Sequence, residues 1–164
     1  MTTHDKPQPT VLIVDDHPEL RTLFRSALTL PIRILETGDG MEAMNLIETN
    51  HVDLLLTDYQ MPFWDGLTLC QTLRAREDLK SIKIVLITGE AAQPLLLEAV
   101  NQGLVDAALL KPVDVHQLRQ LVQRLLNLEP DTGSGRPAGR SSDTHDGQGN
   151  KPLDGSQPDR MKLS

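Results

Sequence analysis

The sequence predicts an α/β fold, (βα)5, in which a doubly wound five-stranded parallel sheet carries helices on both faces. Three observations predict it. Apolar runs of strand length alternate five times with amphipathic stretches of helix length. The runs are continuously aliphatic instead of alternating in and out, as strands covered on both faces are. Right-handed crossovers then leave few arrangements other than one open sheet sandwiched between helices.

The first strand is Thr10 to Asp15, TVLIVD, and the helix after it opens at Pro18. Proline suits a first helical turn, where no amide hydrogen is needed, and Leu20, Leu23, Phe24, Ala27 and Leu28 then share a face. The second strand is Ile32 to Thr37 and the third Val52 to Asp58. Leu67, Cys70 and Leu73 follow at helical spacing, which makes the single cysteine a buried core thiol. The fourth strand is Ile82 to Thr88, the fifth Asp106 to Lys111, and Leu118, Leu121, Val122, Leu125 and Leu126 line the last helix.

Composition divides the 164 residues into an N-terminal extension, 1–9, a domain, 10–129, and a tail, 130–164. The tail holds few sizeable apolar groups and many glycines and prolines, so burial cannot offset its ordering entropy and it is expected to be disordered. Its five aspartates are matched by five Lys or Arg residues, which places the net charge of −7 in the domain and extension. The acidity and the missing basic stripe argue against direct nucleic-acid binding. One cysteine, a polar N-terminus and no run long enough to cross a bilayer suit a soluble cytoplasmic protein without membrane insertion.

In open parallel sheets the ligand site lies beyond the carboxyl ends of the strands. Those ends carry Asp15 and Asp16, Asp58, Thr88 and Lys111. Like charges about 4 Å apart repel by roughly 4 kcal/mol at an effective dielectric near 20, so three acids converging there require a counter-charge. A hard, oxygen-only, incompletely filled set suits Mg²⁺. A carboxylate nucleophile, a metal, a lysine and a hydroxyl are together the parts needed to accept a phosphoryl group. The plainer alternative is a set of solvated strand ends, with Asp16 capping the helix at Pro18. His17, on the exposed start of that helix, reads as solvated. Tyr59, Phe63 and Trp64 read either as loop packing that limits water access or as a docking patch beside Asp58.

The stretches VLIVDDHPELR, LLLTDYQMPFWDGL, IVLITGE and LLKP, in this order and spacing, resemble the receiver domains of two-component response regulators. The likeness is to the single-domain, CheY-like type, with a flavodoxin-like fold, and covers about residues 10 to 128. It implies that Asp58 accepts a phosphoryl group from a histidine kinase or histidine phosphotransfer protein. It further implies Mg²⁺ held by Asp16, Asp58 and the backbone carbonyl of Gln60, with Asp15 acting partly through water. Thr88 and Lys111 would hold phosphoryl oxygens, the Lys111–Pro112 bond would be cis, and output would pass to a downstream protein target. Receivers commonly have an aromatic residue three positions before the lysine, where this chain has Ala108. That departure keeps open a phosphorylation-independent interaction module on the same fold. An aspartyl-nucleophile phosphatase is less favoured, because such enzymes generally carry an acid two residues after the nucleophile, where this chain has Gln60.

Deleting residues 132–164 is expected to leave the melting temperature within a few degrees of the full chain's. A fall equivalent to about 1 kcal/mol or more, read by calorimetry, would show that the tail contributes to the fold.

Overall fold

The computed structural model describes residues 6–130. Five parallel strands, β1 (Thr10–Val14), β2 (Arg33–Thr37), β3 (Leu54–Asp58), β4 (Lys83–Thr88) and β5 (Ala107–Leu110), alternate with five helices. The helices are α1 (Pro18–Ala27), α2 (Gly40–Thr49), α3 (Gly66–Ala75), α4 (Gln93–Asn101) and α5 (Val115–Leu125). Strand order is β2-β1-β3-β4-β5, so the chain reverses direction across the sheet between β1 and β3. The expected tail, residues 130–164, lies outside the described residues apart from Pro130.

The aliphatic runs become strands because both of their faces are covered. Leu12, Val14, Leu55, Ile84 and Leu86 pack under Ile47, Leu69, Leu73 and Leu96 of α2, α3 and α4. Their neighbours Val11, Ile13, Leu54, Leu56, Val85 and Ile87 point the other way, onto Phe24 of α1 and Leu118 and Val122 of α5. Cys70 is fully buried in the first layer, and burial pushes its thiol up to about 12. Three helices open on an aspartate that accepts backbone amides of the first turn: Asp39 for α2, Asp65 for α3 and Asp114 for α5.

The strands are one or two residues shorter than the apolar runs. β2 begins at Arg33, because the Ile32 amide bonds back to Leu30 in a turn. β3 and β4 begin at Leu54 and Lys83, and β1 and β5 stop before Asp15 and Lys111. Those last two still extend the ladder by one bond each: the Asp15 amide donates to the Thr37 carbonyl (3.1 Å) and the Lys111 amide to that of Thr88 (2.7 Å). β2 lies at the edge and is only partly buried, so its aliphatic character does not reflect cover on both faces. Leu23 is 44% exposed rather than on the buried face of α1, since it stands about 100° around the helix from Phe24.

A hinge-free connection fixes the end of β3. The Tyr59 amide donates to the Ile87 carbonyl (2.7 Å) and the Gly66 amide returns to the Tyr59 carbonyl (3.0 Å), so the loop closes tightly over the strand. A Cβ on Gly66 would stand 2.1 Å from the Asp58 carbonyl oxygen, backbone that cannot yield without moving the strand end. Gly66→Ala is therefore expected to cost about 1–3 kcal/mol in urea denaturation, the range of overpacked sites. An unchanged midpoint would show that the loop relaxes freely.

Candidate functional site

Asp58 ends β3 with only 3% of its surface exposed, and Asp15, one residue past β1, is 1% exposed. The β1–β3 register runs Val11 to Leu54 through Val14 to Thr57, which brings the two carboxylates side by side at the sheet's carboxyl edge. Asp16 follows, its side chain 29% exposed. Lys111 arrives from the far end of β5, its Nζ 3.2 Å from Asp58 Oδ1 and 3.8 Å from Asp15 Oδ2. The Lys111–Pro112 bond is cis, as expected. Thr88, at the end of β4 and 1% exposed, completes the edge. The structure thus gathers Asp15, Asp16, Asp58, Thr88 and Lys111 in one place from four elements.

Asp58 is held up by burial: desolvation raises its pKa above the ordinary 3.8. The charge of Lys111 and its hydrogen bond pull it back, Asp15's negative charge adds to the rise, and the Gln60 backbone hydrogen bond lowers it. The Gln60 main chain thus meets the Asp58 carboxyl by a hydrogen bond, which is a different contact from the carbonyl ligation that the resemblance implies.

Three buried oxygens at this edge make no hydrogen bond among the described residues: Asp15 Oδ2, Asp16 Oδ1 and Thr88 Oγ1. Buried polar atoms are rarely left unpaired, so these three call for water or an ion as partner. One ligand atom from each of Asp15, Asp16, His17 and Asp58 lies within 4.8 Å of all the others. Hard carboxylate oxygens that are close, buried and incompletely paired fit a divalent cation.

His17 departs from the solvated reading. Its ring is 60% exposed, yet Nδ1 lies 3.2 Å from Asp15 Oδ1 and 3.0 Å from Asp16 Oδ1. It occupies the N-cap of α1 without capping by its side chain, and its amide donates to Asp15 Oδ1 (2.8 Å). Asp16 does not cap that helix. Two further residues escaped sequence reasoning. Arg21 Nη1 donates to the Asp15 carbonyl (2.6 Å), steadying the acid pair from α1, and Gly66 provides the clearance under Asp58. The arginine one turn into a helix that opens on the acids is a signal that spacing could have supplied; a glycine's clearance is not.

The aromatic cluster divides. Tyr59 and Trp64 are partly buried against the α2–α3 layer, with Trp64 lying over Gly40. Phe63 is 99% exposed in left-handed backbone, φ 68°. Ala108 is half-buried, paired with Leu86, and packs on the same layer.

A family model of the response regulator receiver domain matches residues 11–123. CheY-3, a chemotaxis protein of Vibrio cholerae, is 30% identical over 121 residues, 70% of this chain and 89% of CheY-3. The sensor histidine kinase TmoS of Ectopseudomonas mendocina is 32% identical over 122 residues, 74% of this chain but 12% of TmoS. The chain therefore spans a small part of that relative. A crystal structure of a response regulator receiver protein from Pseudomonas putida superposes with a TM-score of 0.65 at 29% identity, covering 72% of this chain and 98% of that one. The chain belongs to the response regulator receiver-domain family, phosphoacceptor signalling modules of two-component systems. Receivers bind Mg²⁺ at an acidic cluster, and an acidic cluster stands at the matching edge of this sheet. Among the described residues no helix is long and apolar enough to cross a membrane.

The folded chain holds the Asp58 proton more tightly than the unfolded chain does, so this carboxyl destabilises the fold progressively as pH climbs above 3.8. In chelator-treated buffer, Asp58→Asn is expected to raise Tm near pH 7, with the advantage fading towards about pH 4. An advantage that persists or grows on acidification would contradict the direction given for Asp58.

Proposed function

We propose that Asp58 is the phosphoacceptor of this receiver. It takes its phosphoryl group from a phosphohistidine on a histidine kinase or phosphotransfer protein and signals by binding a downstream protein target. The observation that carries the reading is the ion pair of Lys111 with a buried carboxylate, beside a hydroxyl that has no hydrogen bond among the described residues. In the transfer, an Asp58 carboxylate oxygen attacks phosphorus and the donor's N–P bond breaks, its electron pair leaving with the imidazole. Lys111 follows the phosphoryl oxygens as a mobile point charge, and Thr88 Oγ1 donates to one of them. Mg²⁺, when bound, supplies charge neutralisation for the crowded anions. Asp16, Asp58 and the Gln60 carbonyl would hold it, with Asp15 reaching it partly through water.

The absence of an acid two residues after Asp58 favours a signalling role over a phosphatase, since Gln60 cannot protonate a leaving group. Residues 10–129 form the receiver in this reading, flanked by an extension, 1–9, and a tail, 130–164, and the protein works in the cytoplasm.

Acetyl phosphate with Mg²⁺ is expected to add one phosphoryl group to the wild type and none to Asp58→Asn, as read by intact-mass spectrometry. Equal labelling of the two proteins would remove Asp58 from this role.

A further inference from the structure

We propose that His17 is a nitrogen ligand of the acid cluster, and that it sets the site's selectivity towards borderline transition-metal ions such as Mn²⁺ over Mg²⁺. The inference rests on the reading above, that this cluster binds a divalent ion, and adds the residue that decides which one.

The spacing matches that of neighbouring ligands on one ion. Neighbouring ligands on an octahedral ion with bonds of about 2.1 Å stand about 3.0 Å apart. His17 Nδ1 lies 3.0 Å from Asp16 Oδ1 and 3.2 Å from Asp15 Oδ1. One hydrogen bond is present, between Nδ1 and Asp15 Oδ1 at 3.2 Å, and it accounts for only one of the ring's two carboxylate neighbours. Nδ1 carries at most one proton and cannot serve both carboxylates fully. Asp16 Oδ1 makes no hydrogen bond although the ring nitrogen is 3.0 Å away. Asp15 Oδ1 already accepts the His17 amide at 2.8 Å. Asp15 Oδ2, on a side chain 1% exposed, is likewise without a hydrogen bond.

The ring is placed, not incidental. His17 has extended backbone at the N-cap of α1, φ −95° and ψ 109°, and Pro18 follows in the first turn. Its amide is bonded to one of the acids its ring meets. With the ring 60% exposed, Nε2 can carry the proton towards water while Nδ1 offers its lone pair inward. Three carboxylates and the Lys111 ammonium leave a net charge of about −2, which a divalent ion balances. Oxygen-only sets suit Mg²⁺, whereas an imidazole among carboxylates shifts preference towards Mn²⁺ and the ions after it in the affinity series.

The test uses the full chain and two ions, Mg²⁺ and Mn²⁺. Affinities are read from Trp64 emission, the single tryptophan, and from electron paramagnetic resonance of Mn²⁺. Two variants are compared with the wild type: His17→Ala, and His17→Ser, which brings a helix-capping side chain to the N-cap. Both are expected to lose Mn²⁺ affinity about tenfold or more, the lower end of what even an outer-sphere partner contributes, while Mg²⁺ affinity changes by no more than about twofold. The spin echo of bound Mn²⁺ should carry nitrogen modulation in the wild type and lose it in both variants. An equal loss for both ions would make His17 only a positioning residue, and unchanged affinities or no nitrogen modulation would remove it from the metal; each overturns the proposal while leaving the phosphoacceptor reading intact. If neither ion binds the wild type, the metal site proposed for the receiver fails, and this inference fails with it.

Discussion

A carboxylate at the end of a buried aliphatic strand needs a cation brought to it, and the pairing of Lys111 with Asp58 is the interaction on which the arrangement of this protein depends. The two residues are far apart in sequence and on strands that are not neighbours. Their meeting at 3.2 Å requires β4 to lie between β3 and β5 with all three parallel and their carboxyl ends aligned. The pairings Asp58 with Ile87 and Thr88 with Leu110 supply that alignment. The Lys111 amide, bonded to the Thr88 carbonyl, then fixes where the lysine leaves the sheet. Desolvation still outweighs the lysine, which leaves Asp58 above its ordinary value. A buried ion pair of this sort is weak evidence for stability, because desolvation offsets much of its attraction.

The helix termini divide between structure and site. α2, α3 and α5 each begin on an aspartate that takes up first-turn amides. α1 has no such cap; its N-cap amide is taken by Asp15, an acid of the site. Arg21, one turn along, bonds the carbonyl of the same residue. The start of α1 and the acid pair therefore hold each other in place, and a change at either is felt at both.

Strand number, order of elements and the gathering of Asp15, Asp16, Asp58, Thr88 and Lys111 were legible because each follows from a run or a strand end. Aliphatic stretches without alternation mark two-sided burial, and a parallel sheet puts every strand's last residue at one edge. What was not legible depends on angles and clearances. Leu23 has the spacing of a core residue but stands to one side of the buried arc of α1. His17 is exposed, as a helix start should be, and exposure says nothing about which way its Nδ1 points. The three aromatics after Asp58 are alike in sequence. Only the left-handed backbone at Phe63 turns that ring outward while Tyr59 and Trp64 stay against the layer.

The register around Thr88 constrains how a change at Asp58 could travel. Thr88 is buried, its hydroxyl makes no hydrogen bond among the described residues, and its partner on β5 is Leu110, which is 37% exposed. Ala108, two residues earlier, faces the same side of the strand and offers only a methyl group. No Phe, Tyr or Trp occurs in the sequence after Trp64. A movement of Thr88 towards a phosphoryl oxygen would therefore be accompanied in β5 by aliphatic side chains or by the backbone, with no ring to bury or release. A phosphoryl group can bias two states only as far as it interacts differently with them, and an alanine methyl supplies little of that difference. Any energetic distinction between states would then be sought near the site itself, in Thr88, Lys111 and the loop from Gln60 to Gly66.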